Sequence, residues 1–267
     1  MKGLFEAARR PYQRVPTPVR KIVARRLYRL GIALHRAGTV LSWRYSWADE
    51  AVAPAVEASP AGTSIWVEVG AWKGDSLAQA PEGATIYCFE PNVANAALVK
   101  ERYPRANVIA AAVAATSGLA QFHETTDDST WSLEPIDQEY VSRELLSMAF
   151  QVTGTRLVPV VRLDEFMQAA HLDHIDMLAI DAQGSDLDVL RSLGERLRSV
   201  KRIRVEAYEE GHSQYLGAEN SKANILAFMT GHGFTQIGEM PIVGGAYADM
   251  PIVGGAYADM TFERVDA

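Results

Sequence analysis

From residue 64 onward, short apolar runs alternate with segments in which apolar residues recur at helical spacing. The runs near 65 to 70, 84 to 90, 106 to 112, 175 to 181 and 202 to 207 read as buried strands. Helical periodicity occupies the stretches near 92 to 102, 185 to 197 and 219 to 230. Strict alternation of the two predicts a mostly parallel sheet joined by right-handed crossovers. A last pair of runs, Phe234 to Glu239 and Met260 to Val265, predicts an antiparallel hairpin that closes the sheet at seven strands. Between Ala120 and Val158 the periodicity lapses into the polar stretch TTDDSTWS and then a helix near 138 to 149. An insertion of this kind is a place where substrate-binding elements can be built.

Upstream of the core the pattern changes character. Apolar residues at Val19, Ile22, Val23, Leu27, Leu30 and Leu34 mark one helix face, with Arg20, Lys21, Arg25, Arg26 and Arg29 on the others. An Ala/Pro-rich connection, AVAPAVEASPAGT, follows at 51–63, so residues 1–63 read as a basic helical arm and 64–267 as one catalytic domain. The net charge of −7 conceals this asymmetry. Up to Tyr45 there are eleven basic residues against the single acid Glu6; removing them from totals of 26 and 33 leaves 15 basic against 32 acidic residues. We read the arm as packing on the acidic domain, or on that of a second copy in a homo-oligomer, and lidding the pocket, with attachment to an anionic membrane surface, or to a phosphorylated lipid or glycan, as the alternative. An acidic domain argues against a nucleic-acid partner.

Composition adds two limits and one oddity. Cys88 is the single cysteine, so no intramolecular disulfide forms. No apolar run reaches bilayer length and no signal-peptide pattern opens the chain, so the expectation is a cytoplasmic protein, peripheral at the inner membrane surface if the arm attaches there. The decapeptide MPIVGGAYAD occurs at 240–249 and again at 250–259. It is too short an array for a solenoid and reads as a lengthened hairpin loop, an oligomer contact, or an artefact, with no chemistry attached.

Two segments carry the chemistry. Residues 65–75, IWVEVGAWKGD, are an apolar run ending in Glu68, Gly70, Ala71, Trp72 and Gly74, with Ser76 just beyond. Residues 85–92, TIYCFEPN, are a second run ending in Glu90, Pro91 and Asn92. A glycine turn followed roughly 20 residues later by an acid is the spacing of a nucleoside-cofactor site in a doubly wound sheet. Trp72 stands where a pyrophosphate-binding turn needs glycine, which favours S-adenosylmethionine over a dinucleotide. Further acids end the later strands: Asp181, followed by Gln183, Gly184 and Asp186, and Glu206, with His212 shortly after. Asp186 reads as a helix-start acid, Glu206 as an ion-pair partner of Arg204 or a pocket acid, and His212 as a loop histidine or a base.

The ordered set EVGAWKGDS, YCFEPN, NVIAAAVAATSGLAQF, DDSTWS, VPVVRLDEFM, IDMLAIDAQGSDLDVL and RVEAYEE resembles the FkbM family of S-adenosylmethionine-dependent methyltransferases, over roughly Ile65 to Gly211. The resemblance implies a class I, Rossmann-like α/β fold and methyl transfer to a hydroxyl of a sugar, polyketide or other natural product or glycan. It places Glu68, Gly70, Gly74 and Ser76 in the cofactor loop, Glu90, Pro91 and Asn92 at the ribose, and Ala112 and Val113 beside the adenine. Ser129, Thr130, Trp131 and Ser132 match a serine-rich family segment, so the first three, with Gln183, are candidate substrate contacts. Ala179 stands where relatives commonly carry lysine. His212, Asp181 and Glu206 are the candidate bases, Asp181 also bordering the cofactor; no metal is expected, although Asp164, Asp181 and Asp186 would be the ligands of a metal-dependent sugar O-methyltransferase. A membrane- or glycolipid-tethered binding protein with a degenerate cofactor site is the contrasting class.

Overall fold

The computed structural model describes residues 63–143, 150–242 and 257–265. Ten strands are present among them: β1 (Ile65–Val69), β2 (Thr85–Phe89), β3 (Asn107–Ile109), β4 (Ala112–Val113), β5 (Gly118–Thr125), β6 (Val152–Val161), β7 (Ile175–Ile180), β8 (Val200–Tyr208), β9 (Phe234–Pro241) and β10 (Tyr257–Arg264). The main sheet has seven strands in the order β3-β2-β1-β7-β8-β10-β9. Neighbours are parallel except around β10, which is antiparallel to both β8 and β9. This is the class I methyltransferase sheet with its terminal antiparallel hairpin. The order reverses between β1 and β7, and in open α/β sheets ligands bind beyond the carboxyl ends of the strands at that point.

Both faces of the sheet are covered near its middle. Val67, Val69, Leu178, Ile180, Ile203 and Val205 face one core, packed by helices α3 (Leu163–Ala169), α4 (Asp186–Arg191) and α5 (Lys222–Gly231). Trp66, Cys88, Met177 and Ala179 face the other, with Leu77 from a short 3-10 turn and Val99 from α1 (Val93–Arg102). Every residue of β7 is buried. A strand enclosed on two faces reads as a continuous apolar run, which is why its sequence signal is strong.

Three expectations change. The run 106 to 112 is not one strand: β3 ends at Ile109, and Ala112 and Val113 pair with β6 in a second sheet of order β4-β6-β5. The stretch between Ala120 and Val158 is largely this second sheet, not only a polar segment and a helix. Its strands are solvent-facing along much of their length, with Leu119 and Leu157 exposed, so no clean alternation marks them. The expected helix over 185 to 197 stops at Arg191 and resumes as a 3-10 helix at Gly194–Ser199, Gly194 taking a positive φ of 48°. The basic arm, part of the helix near 138 to 149 after α2 (Gln138–Arg143), and residues 243–256 lie outside the described residues.

The repeated decapeptide straddles the final hairpin. Met240 and Pro241 of the first copy end β9, while Tyr257, Ala258 and Asp259 of the second begin β10. The copies are identical, so removing ten residues shortens the connection between Pro241 and the tyrosine from fifteen residues to five without changing either strand. A five-residue, glycine-containing loop is an ordinary hairpin connection, and the shorter loop lowers closure entropy by about 1 kcal/mol. The deletion variant is expected to keep its circular dichroism and to melt at the same temperature or about 2–4 °C higher. A lower midpoint would show that the long connection is structural.

Candidate active site

The cofactor loop begins with a close approach. Gly70 follows β1 with φ 81°, and a Cβ built on it would lie 1.8 Å from the Asp181 carbonyl oxygen. Its N–H donates to Phe89 O at 3.0 Å, the Ala71 N–H donates to the same oxygen at 3.2 Å, and the Asp181 N–H donates to Val69 O at 2.9 Å. The ends of β1, β2 and β7 are thereby drawn together around one residue. Ala71 is buried; Gly74 turns the chain with φ 81° against the Tyr103 ring. Glu68, buried below, accepts from Trp66 Nε1 at 2.8 Å and from the Ser76 hydroxyl. Burial pushes its carboxyl up against the opposing pull of Arg204, 3.9 Å away.

Glu90 closes the other side. One carboxylate oxygen accepts the Trp72 N–H at 2.7 Å and the other the Asn92 N–H at 2.8 Å, while Asn92 caps α1 through the Ala94 N–H. Pro91 carries the chain from the acid into that cap. Each Glu90 oxygen keeps a second lone pair for a ligand hydroxyl. Burial pushes the carboxyl up to about 7 despite the two N–H donors. Trp72 is held at φ 44°, and its indole N–H donates to Asp128 Oδ1 at 3.0 Å, where Lys73 also arrives at 3.3 Å. Asp128, from the inserted stretch, was not singled out in the sequence.

Beyond β7 the loop 181–184 is fastened from several sides. Asp186 is fully buried and accepts from the Ala182 N–H at 2.8 Å, the Gly184 N–H at 3.1 Å and Asn220 Nδ2 at 2.7 Å. It anchors the loop as well as opening α4. Gln183, at φ 50°, receives the Tyr215 hydroxyl on Oε1 and donates from Nε2 to Asp181 Oδ1 at 2.7 Å. The Ser132 hydroxyl donates to the Gln183 carbonyl. Nothing in the pattern of the sequence pointed to Tyr215.

Asp181, Glu206 and Asp259 form a row across three adjacent strands. Ile180 pairs with Val205, which sets Asp181 beside Glu206, and Glu206 pairs directly with Asp259. Glu206 is about nine-tenths buried, and its carboxyl makes no hydrogen bond among the described residues. Arg204 does not serve it: the guanidinium bonds Gln79 and faces Glu68. Lost hydration, then Asp181, Asp186 and Asp259, hold the Glu206 carboxyl well above its ordinary range. Asp181 opens onto the cleft yet is ringed by protein; lost hydration, then the Asp186 and Asp259 carboxylates, push it upward too. Like charges side by side on one sheet face are destabilising, so Asp259 raises the other two carboxyls of the row and Asp181 raises Glu206.

The remaining candidates are more dispersed. His212 is exposed on the loop after β8, its carbonyl accepting from the Tyr257 hydroxyl at 3.1 Å. Ser129 bonds Asp127, the Thr130 hydroxyl meets that of Thr125, and Trp131 Nε1 donates to Thr125 O at 3.0 Å. These three side chains brace the inserted segment. Ala112 and Val113 are buried in β4, where Val113 joins the main core.

The family model for the methyltransferase FkbM domain matches residues 68–235, which hold the glycine loop, Glu90, Asp181 and Glu206. The chain belongs to this family. The chain is 26% identical over 129 residues to the 2-O-methyltransferase NoeI of Sinorhizobium fredii (strain NBRC 101917 / NGR234), an overlap of 46% of this chain and 53% of that one. It therefore spans about half the length of that relative. Among solved structures it is similar to an rRNA methylase from Streptococcus thermophilus, with TM-score 0.41, 11% identity, 76% of this chain and 87% of the other. It is also similar to 1,6-didemethyltoxoflavin-N1-methyltransferase from Burkholderia thailandensis, with TM-score 0.38, 16% identity, 94% and 91%.

Membership of this methyltransferase family implies S-adenosylmethionine as the cofactor, and the residues fit it. The space a Cβ would fill at Gly70 is needed by the backbone, and each Glu90 oxygen, held by one backbone N–H, keeps a lone pair for a ribose hydroxyl. Two consequences are measurable. Gly70→Ala is expected to destabilise by more than about 3 kcal/mol through collision and strain. Gly83→Ala, at the same φ but with nothing within 4 Å, should cost only about 1 kcal/mol. Equal losses in urea titrations would refute the close-approach account.

The second concerns pH. Because the folded Glu90 carboxyl is raised from 4.5 to about 7, its contribution is present below pH 4.5 and is lost as the pH rises toward 7. Unfolding free energy of the cofactor-free protein should fall across that window, and Glu90→Gln should reduce that fall by about 3 kcal/mol. Parallel pH curves for the two proteins would remove Glu90 as a source.

Proposed function

We propose that this protein transfers the methyl group of S-adenosylmethionine to a hydroxyl oxygen of a small-molecule or glycan acceptor. The observation that carries the reading is Glu206, a buried carboxyl without a hydrogen-bond partner among the described residues, beside Asp181 at the carboxyl edge of the sheet. Likeness to a 2-O-methyltransferase supports oxygen as the acceptor atom.

S-adenosylmethionine supplies a methyl group already activated by the positive sulfur that bears it. The chain's own task is to hold the acceptor oxygen in line, exclude water and receive the hydroxyl proton as the new C–O bond forms. A carboxylate raised toward neutrality is a better base than an ordinary one, which favours Asp181 or Glu206 in that role. Gln183 holds one Asp181 oxygen and leaves the other for the acceptor. His212, on its exposed loop, is the third candidate, and the segment Ser129–Trp131 borders the acceptor side through Tyr215, whose hydroxyl lies 3.3 Å from Thr130 O.

A metal route has less support. Asp164 is bound to Arg162, and no group of three or more His, Cys, Asp or Glu is placed to hold a metal among the described residues. No helix among those residues is long and apolar enough to cross a membrane, and the peripheral contact proposed for the basic arm rests on its sequence. A tethered binding protein with a degenerate site is the remaining alternative, and the intact Gly70 and Glu90 geometry counts against it.

Calorimetric titration separates these readings. S-adenosylmethionine is expected to bind at micromolar strength, and Glu90→Ala to weaken it at least about tenfold, some 1.4 kcal/mol. Methyl label transferred to an acceptor should then sit in an ether, stable to mild base. No binding by the wild-type protein would favour the tethering alternative; a base-labile methyl ester would replace hydroxyl by carboxyl as the acceptor group.

A further inference from the structure

Just past the carboxyl end of β8 the chain encloses a groove of about 480 Å3. Tyr208 and Tyr215 lie deepest in its lining, the loop 209–218 forms one wall, and α2 with the start of α5 forms the other. Two links join it to the reaction centre. Tyr208 is two residues beyond Glu206 on the same face of β8 and pairs with Tyr257, as Glu206 pairs with Asp259. Tyr215 donates to Gln183, which donates to Asp181. The groove therefore adjoins one candidate base along a strand and reaches the other through two hydrogen bonds.

Its lining is mostly polar and carries more acid than base. Asp137, Glu139, Glu209 and Glu210 line it with Arg143, and Glu209 is offset by Lys222 at 2.7 Å. Arg143 stacks over the Tyr140 ring, 5.1 Å from its centroid. A ligand entering here meets hydrogen-bonding groups in a negative field, which repels anions and tolerates neutral or cationic groups.

We propose that this groove binds the methyl acceptor, and that the part of the acceptor seated there bears hydroxyls and is neutral or positively charged, not a phosphate or carboxylate. The assignment rests on the methyl-transfer reading above. It places the acceptor on the β8 side of the crevice and the cofactor on the β1–β2 side, with Asp181 and Glu206 between them.

Amide-resolved NMR of the full chain, with and without S-adenosylhomocysteine, tests it using a neutral hexose, the 2-amino hexose and the hexose 6-phosphate, three hydroxyl-rich probes that differ in charge. The neutral and amino probes should shift the amides of Gly211, Leu216 and Gly217, the amine binding at least about threefold tighter than the phosphate. Glu210→Lys should narrow or reverse that order. Ala218→Trp, which fills the groove, should abolish the shifts while S-adenosylhomocysteine binding stays within about twofold; if that variant misfolds, the charge order in Glu210→Lys still decides. Shifts from no probe, shifts only at other sites, or the phosphate binding tightest would each overturn the assignment. Because the homocysteine titration is read in the same samples, its failure would sink the methyltransferase reading independently of what the probes do at the groove.

Discussion

The architecture depends on the contact between Gly70 and the Asp181 carbonyl. A parallel sheet can present a crevice at its switch point only if the two strands flanking that point stay paired to their ends while the chain turns sharply out of one of them. Gly70 meets both demands, since its missing Cβ admits the Asp181 carbonyl and its positive φ starts the turn. The Phe89 carbonyl receives both N–H groups released by the turn. Glu90 directly follows Phe89, and Asp181 supplies the carbonyl, so two acids of the site are set by this contact.

Around that joint the site concentrates carboxyl groups where the sheet cannot easily supply counter-charge. Arg204, two residues before Glu206 on β8, bonds Gln79 and faces Glu68, and its charge partly offsets the burial of Asp259. Asp186 is satisfied by two backbone N–H groups and Asn220, so its burial organises a loop; Glu206 has no such donors. Two buried acids in one neighbourhood thus have different work. The first fixes backbone, and the second, without such donors among the described residues, is free of that structural duty.

The inserted second sheet reaches the site by a few polar fastenings. Asp128 holds the Trp72 indole, Ser132 holds the Gln183 carbonyl, and Thr130 O lies near the Tyr215 hydroxyl. Both Trp72 and Gln183 are non-glycine residues at positive φ, a conformation that costs on the order of 1 kcal/mol and persists where surrounding bonds hold it. The cofactor loop and the loop after β7 are therefore each fastened to the insertion at a strained residue.

Local pattern was enough for the core strands because β7 is enclosed along its whole length and β8 turns Ile203, Val205 and Ala207 to the core, and enough for Gly70, Glu90 and Asp181 because each directly follows the end of β1, β2 or β7. The wetter second sheet left no alternation to read, and the break before Gly194 depends on packing that periodicity does not encode. The repeat looked like loop, yet its second copy supplies Tyr257 and Asp259 to β10, since the register of that strand is chosen by pairing with β8. By itself, then, the sequence determined the alternating α/β sheet, which rests on periodicity along the chain, and the family, which rests on an ordered set of motifs. Only tertiary structure decided that Asp259 joins the acid row, that Tyr215 reaches Gln183 and that Arg204 turns from Glu206, because cross-strand neighbours and long-range hydrogen bonds join residues that spacing keeps apart.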